Sequence, residues 1–402
     1  MEWNGIPIDV PLLKALQGSW SEFQEHLIEE VERENGYDVY LKRRHGFGFS
    51  YSNFDNLLAR EGLLEIWQRT SCNRACLSSR YLKTMSIAHP HFEALRMLRK
   101  TLASLPALNP PVGDDGRNRT SIAAFRAKTS RNQPRTREFI MGYPAWLRSL
   151  MRAEPGHALV YVDLSSAEFG IAAGLSQDAA MMADYQNADP YISFGKRMKY
   201  LPSHASRSTH EFERNKLKKV CLGVQYGMGS QTLGMQLGVS SSEAEALMNL
   251  HRLAYPGYWA YSRMTLETAA FKRELWTALD WRLNDAHRQK RNTLLNFPMQ
   301  AHGAEILRLA CCMATEEGLE VVAPLHDALL VHVGSDRIEE TIGRIQFCWR
   351  QSSSALLDGF ALRCENDQAK IVFDYPMRYQ DGRQVKFFDR AIGFLRERGW
   401  EE

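Results

Sequence analysis

Phe23, Leu27, Ile28 and Val31 fall on one face of a helical wheel in a stretch otherwise rich in Glu, which predicts an amphipathic helix. HFEALRMLRKTLASL repeats the pattern and predicts a second helix ending near Pro106. NPPVGDDGRNR then breaks all periodicity with Pro, Gly and Asp, and is read as a loop at a subdomain boundary. After Gly156, ALVYVDL is a short run of β-branched and aromatic residues, the signature of a buried strand, and SSAEFGIAAGL after it has helical composition. From Met181 to Trp281 the pattern is mostly helical, with a loop from about Leu201 to Thr209. NFPMQAHGAEILRLACCMATEEG predicts a turn and then a long helix, and VVAPLHDALLVHV predicts a strand, a tight turn and a second strand. No internal repeat or low-complexity segment interrupts this order.

Composition narrows the class. The chain has 402 residues, 44% of them hydrophobic and 24% charged, which excludes collagen-like and wholly disordered chains and suits two or three packed subdomains. No apolar run reaches the roughly 18 residues of a membrane span, and the N-terminus MEWNGIPIDVPLL lacks a basic leader. The seven cysteines are odd in number and scattered, and are read as reduced thiols, so a cytoplasmic setting is expected. The net charge of +3 hides an uneven distribution. Pro111 to Arg152 carries nine basic and three acidic residues, and Lys196 to Lys219 carries eight and two. Such stretches suit a polyanion-binding groove, or equally a set of solvated helix faces.

Three constellations carry chemistry. In YVDLSSAEF, Asp163 ends an apolar strand and Glu168 follows near a helix start. A strand-end carboxylate can hold Mg²⁺, or can simply cap the next helix. In LHDALLVHV, Asp327 lies in a His-Asp turn, where an acid commonly means only a turn. Paired with Asp163, it can supply the second carboxylate of a two-metal site. In RNKLKKVCLGVQYGMG, Arg214, Lys218, Leu222 and Tyr226 recur every four residues on one slowly drifting helical face. Two cations, an apolar residue and an aromatic can grip a triphosphate and cover a base, or make an ordinary amphipathic helix. Gly227 and Gly229 are read as its stop.

In this order, the sequence resembles a family A DNA polymerase, the polymerase I type. The Asp163…Glu168 block, the R-x3-K…YG block through Arg214, Lys218, Tyr226 and Gly227, the N-x-P-x-Q segment Asn296, Pro298 and Gln300, and the His326-Asp327 hairpin all match that family's pattern. The resemblance covers most of the chain, and EWNGIPIDVPLL is similar to the segment where the family's thumb begins. It implies an α/β (α+β) right-hand fold. The thumb is expected over 1–110, palm over 111–180, helical fingers over 181–285, and the rest of an antiparallel palm with the C-terminal segment over 286–402.

The resemblance further implies that Asp163 and Asp327, helped by the Leu164 carbonyl, hold two Mg²⁺ ions, with Mn²⁺ able to substitute. Arg214 and Lys218 would bind the incoming deoxynucleoside triphosphate, with Lys218 also protonating the leaving pyrophosphate. Leu222 and Tyr226 would line the pocket, with Glu168 excluding the ribose hydroxyl. Arg131, Asn296, Gln300 and His326 would touch primer–template DNA, with Arg119 the rival of Arg131. Leu164, Leu222 and Ala328 depart from the usual Tyr, aromatic and Glu. A monomer without a membrane partner is expected, its proofreading absent or supplied by a separate exonuclease, with a replication helper the other candidate partner, at a nucleoid or at a phage or plasmid replication site. The competing readings are a single-subunit RNA polymerase, which has a glycine where Glu168 stands, and a catalytically weak nucleic-acid-binding relative.

Overall fold

A three-stranded antiparallel sheet organises the larger of two compact units. Its order places Ala328–Gly334 between His157–Asp163 and Glu320–Leu325. The central strand is buried along nearly its whole length, which explains why its sequence is a mostly apolar run, broken only by His332, rather than an alternation. The computed structural model describes residues 1–44, 46–104, 109–135, 137–365, 372 and 382–401.

This unit comprises Met1–Gly5, Ser121–Pro134 and Ala153–Phe373. Val160, Val162, Leu329 and Val331 of the sheet join Phe169 and Ile171 of the helix Ala167–Ser176 in one buried core. Ile306 and Ala310 of the helix Arg291–Glu316 and Ile345 and Trp349 of the helix Ile338–Leu356 complete it. Burying each large apolar side chain stabilises the fold by about 1.5–3 kcal/mol. The region read as mostly helical forms the helices Ala179–Gln186, Pro190–Arg197, Glu211–Gln225, Ser230–Leu237, Ser241–Ala254 and Pro256–Lys272, with no helix between Arg197 and Glu211.

The second unit comprises Ile6–Thr120, Arg135–Arg152 and Asp374–Glu402. Its helix Trp20–Asn35 buries Phe23, Leu27, Ile28 and Val31, the face the pattern predicts. Phe23 packs between Trp146 and Phe394, whose ring centroids lie 6.3 and 5.3 Å away. The HFEALRMLRKTLASL helix spans Phe92–Ser104, and Pro106 lies outside the described residues. In the loop after it, Arg117–Asn118 forms a two-residue strand paired with Ile6–Pro7.

Three local expectations are corrected. Asn296 to Gln300 is not a turn: the helix Arg291–Glu316 runs through it with Pro298 inside. Proline there forfeits one backbone bond, and burial of Leu294, Leu295, Phe297 and Met299 around it offsets the loss. Gly229 does not stop the Glu211–Gln225 helix. Gly227, at φ +65°, does so, and Gly229 at φ −79° is the N-cap of the next helix. Asp163 does not cap the helix after it, because Ser166 occupies the N-cap position.

Candidate active site

Strand register brings the two aspartates together. Asp163, the last residue of its strand, stands opposite Ala328, so Asp327 in the hairpin turn is one residue from it across the ladder. The Leu164 N–H donates to the Asp327 carbonyl at 2.9 Å, and the Glu365 N–H donates to the Asp163 carbonyl at 3.0 Å. Both acids therefore stand on backbone tied down by hydrogen bonds to neighbouring chain segments. Asp327 is exposed at its surface, yet protein atoms crowd the rest of its surroundings. That crowding raises its pKa above the ordinary aspartate value; nearby Glu168 adds to the rise, while His326 and Arg131 oppose it. His326 is exposed beside it.

A second group forms around Glu168, in the first turn of Ala167–Ser176, where the helix dipole favours a carboxylate. The Tyr226 hydroxyl donates to Glu168 Oε1, and Arg131 Nη2 lies 3.5 Å from the same oxygen. Burial first, then the hydrogen bond and charge of Glu168, push the Tyr226 phenol well above its usual pKa, so it remains a donor. The nearby Gln300 side chain acts the other way and lowers it. One helical turn before Gln300, the buried Oδ1 of Asn296 has no hydrogen-bond partner among the described residues.

The basic helix Glu211–Gln225 carries Arg214, Lys218 and Leu222, and Tyr226 caps its C-terminus. Arg214 is largely buried and ion-paired, its Nε 2.8 Å from Asp189 Oδ2. Its guanidinium lies 5.0 Å from the Tyr191 ring centroid, and the Lys218 ammonium 6.0 Å from the same centroid. Crowding first, then the charges of Arg214 and Arg207, lower the Lys218 pKa. Leu222 is half-buried. Asp189 and Tyr191 were not legible as site residues. The Asp-Pro pair is a helix-start signal, and Asp189 Oδ1 does accept the Tyr191 and Ile192 N–H groups at 3.0 and 3.1 Å. That signal finds the cap but not the Arg214 that shares its carboxylate. Of the two candidate arginines, Arg131 is the one beside Glu168; Arg119 belongs to the other unit and pairs with Asp115.

Among the described residues no cluster of three or more His, Cys, Asp or Glu side chains has a metal-holding arrangement. Two carboxylates and a backbone carbonyl nevertheless fit Mg²⁺, which takes one or two carboxylates and completes its shell with water and substrate phosphate. No helix among the described residues is long and apolar enough to cross a membrane.

The sequence model of DNA polymerase family A matches residues 92–360. Thermostable DNA polymerase I of Thermus thermophilus is 26% identical over 365 residues, covering 85% of this chain and 43% of that protein. The DNA polymerase of Mycobacterium phage D29 is 25% identical over 237 residues, covering 56% of this chain and 37% of that protein. The chain thus spans less than half the length of the curated relatives it matches. Among solved structures, the POL domain of Pol1 from M. smegmatis, in complex with DNA primer-template and dNTP, shares the fold with a TM-score of 0.70 at 21% identity, covering 90% of this chain and 66% of that one. With the family pattern matched from Phe92 to Phe360, through both aspartates, the basic helix and the Asn296–Gln300 segment, the chain belongs to DNA polymerase family A.

Proposed function

We propose that the chain is a DNA-directed DNA polymerase that adds deoxynucleotides to a primer 3′ end with two Mg²⁺ ions. Its thumb would be 1–110, its fingers 181–285, and its palm 111–180 with the rest of the palm and the C-terminal segment over 286–402. The observation that carries the reading is the juxtaposition of Asp163 and Asp327 across the Leu164–Asp327 hydrogen bond. Family membership and the primer-template and dNTP bound to the M. smegmatis domain support the choice of DNA and deoxynucleotides as partners.

Phosphoryl transfer asks a protein mainly for positioning and charge. Asp163, Asp327 and the Leu164 carbonyl would hold the ions, which would supply positive charge against the attacking and leaving oxygens. Arg214, braced by Asp189, and Lys218 grip the triphosphate. A lowered pKa makes the Lys218 ammonium the stronger acid, suited to give its proton to the departing pyrophosphate. Leu222 and Tyr226 line the nucleotide pocket. Glu168, held by the Tyr226 hydroxyl, occupies the space a ribose 2′-hydroxyl would need. Arg131, Asn296, Gln300 and His326 face the primer–template.

Primer extension with Mg²⁺ tests the reading. Asp163→Asn and Asp327→Asn should each lower extension by at least about a hundredfold, since losing even an outer-sphere partner costs 10–100-fold. Binding of primer–template should persist in both variants. Near wild-type extension by either one overturns the two-metal reading.

A further inference from the structure

Ser121–Pro134 has no regular secondary structure, yet it delivers Arg131 to the site. Three of its non-glycine residues, Ala123, Phe125 and Ser130, have left-handed backbone, at φ +47°, +64° and +54°. Such conformations persist only where the surroundings over-determine them. Here the surroundings are identifiable. Arg308, on the same helix as Asn296 and Gln300, forks onto Ser130: Nη1 donates to its carbonyl at 2.8 Å and Nη2 to its hydroxyl at 2.9 Å. The Arg308 guanidinium also lies 4.3 Å from the Phe125 ring centroid. Phe125 in turn packs on Trp281 at 5.6 Å, and Trp281 Nε1 donates to the Lys128 carbonyl at 2.9 Å.

Ser130 is fully buried, and the next residue is Arg131. The Arg131 Nε is buried without a hydrogen-bond partner among the described residues, so the inner edge of its guanidinium does not fix its direction. The backbone behind it does, and Arg308 holds that backbone through the carbonyl and hydroxyl oxygens of Ser130. We propose that Arg308 is a positioning residue: it fixes the turn that aims Arg131 at Glu168, and through that contact it sharpens the choice between deoxyribose and ribose. This rests on the reading of Glu168 as the group beside the sugar 2′ position. Glu168 is held from two sides, by Tyr226 and by Arg131. Slackening one side leaves a looser barrier, and misplacement of about 1 Å at a distance from the chemistry is enough to alter rates strongly.

The test is the ratio of kcat/KM for deoxynucleotide over ribonucleotide, measured for wild type, Glu168→Ala, Arg131→Met, Arg308→Met, Arg308→Lys and the Arg131→Met/Arg308→Met double variant. Arg308→Met keeps the apolar stem and removes the fork. It should lower the ratio by about threefold or more, and the double variant should fall no further than Arg131→Met alone, because residues acting through one contact are not additive. Arg308→Lys, a single point charge, should recover part of the loss. A purely structural role predicts equal losses for both nucleotides and an unchanged ratio. If Glu168→Ala lowers the ratio while Arg308→Met does not, or if the two methionine substitutions add, the positioning role is overturned and the sugar reading stands. If Glu168→Ala leaves the ratio unchanged, the sugar reading itself falls, and the proposal with it. Should Arg308→Met fail to fold, Arg308→Lys and Phe125→Leu carry the test, each expected to lower the ratio.

Discussion

Asp327 illustrates how one side chain links structure to pH. Crowding raises its pKa, so folding favours its protonated form, whereas an ion at this site needs the carboxylate. Extension should therefore fail on acidification at a pH above the ordinary aspartate range near 3.9. Added Mg²⁺ should shift that acid limb to lower pH, since the ion competes with the proton. The stability sign is the opposite. A group whose folded pKa is raised gains stability as pH falls through that value, so Asp327→Asn should raise the melting temperature of the metal-free protein at neutral pH. Pairing a pH–extension profile at two Mg²⁺ levels with thermal melting of the variant checks both; an acid limb unmoved by Mg²⁺ would detach Asp327 from the ion. At this scale the sequence was legible where type and local order sufficed, as for Asp163 and Asp327. It was silent on Asp189, Tyr191 and Arg308, because their partners Arg214, Lys218 and Ser130 are set by tertiary packing that no short spacing encodes.

The basic helix Glu211–Gln225 owes its sharp end to one residue. Gly227 takes φ +65°, and a Cβ there would meet Leu295 Cδ1 at 2.9 Å and Asn292 Oδ1 at 3.1 Å, both on the long helix that carries Asn296 and Gln300. Gly227→Ala should therefore cost about 1–3 kcal/mol in denaturant unfolding, from a disfavoured backbone region plus the contact with Leu295. Gly229→Ser is the matched control. It has open space at Cβ and an N-cap position that serine suits, so its cost should be near zero or negative. Equal losses at the two positions would contradict this account of the helix end. Element types were legible because period and turn residues report on one element at a time. Pro298 misled for the same reason: its local preference is to break a helix, and burial of its neighbours prevailed.

For the molecule as a whole, charge arithmetic needed the structure. Several cations in the two basic stretches are held by acids: Arg119 by Asp115, Arg135 by Glu138, Arg197 by Asp184 and Arg214 by Asp189. Partnered charges release fewer counterions on binding DNA. Affinity for primer–template should still fall steeply with salt, at about 0.9 in log–log slope per phosphate contact, but with fewer contacts than the raw count of basic residues implies. A titration of affinity against salt measures that number directly, and a flat line would mean the charges only solvate the surface. The grouping of chain segments was the least legible level. The second unit draws on Ile6–Thr120, Arg135–Arg152 and Asp374–Glu402, and hydrophobic period says which face of an element is buried, never against what.

The two-residue turn between Leu325 and Ala328 leaves this protein little freedom in chain length. Side chains alternate along a strand, so deleting or inserting one residue within the strand that ends at Asp163, or within the turn, would rotate one aspartate to the opposite face of the sheet. Substitutions nearby alter a contact; a change of length abolishes the pair. The register shift between Val321 and Ala323 already accommodates an irregularity in the neighbouring pairing, away from the turn. Natural variation in this hairpin is therefore expected as exchanges of one side chain for another, with gains or losses of residues confined to the bulge.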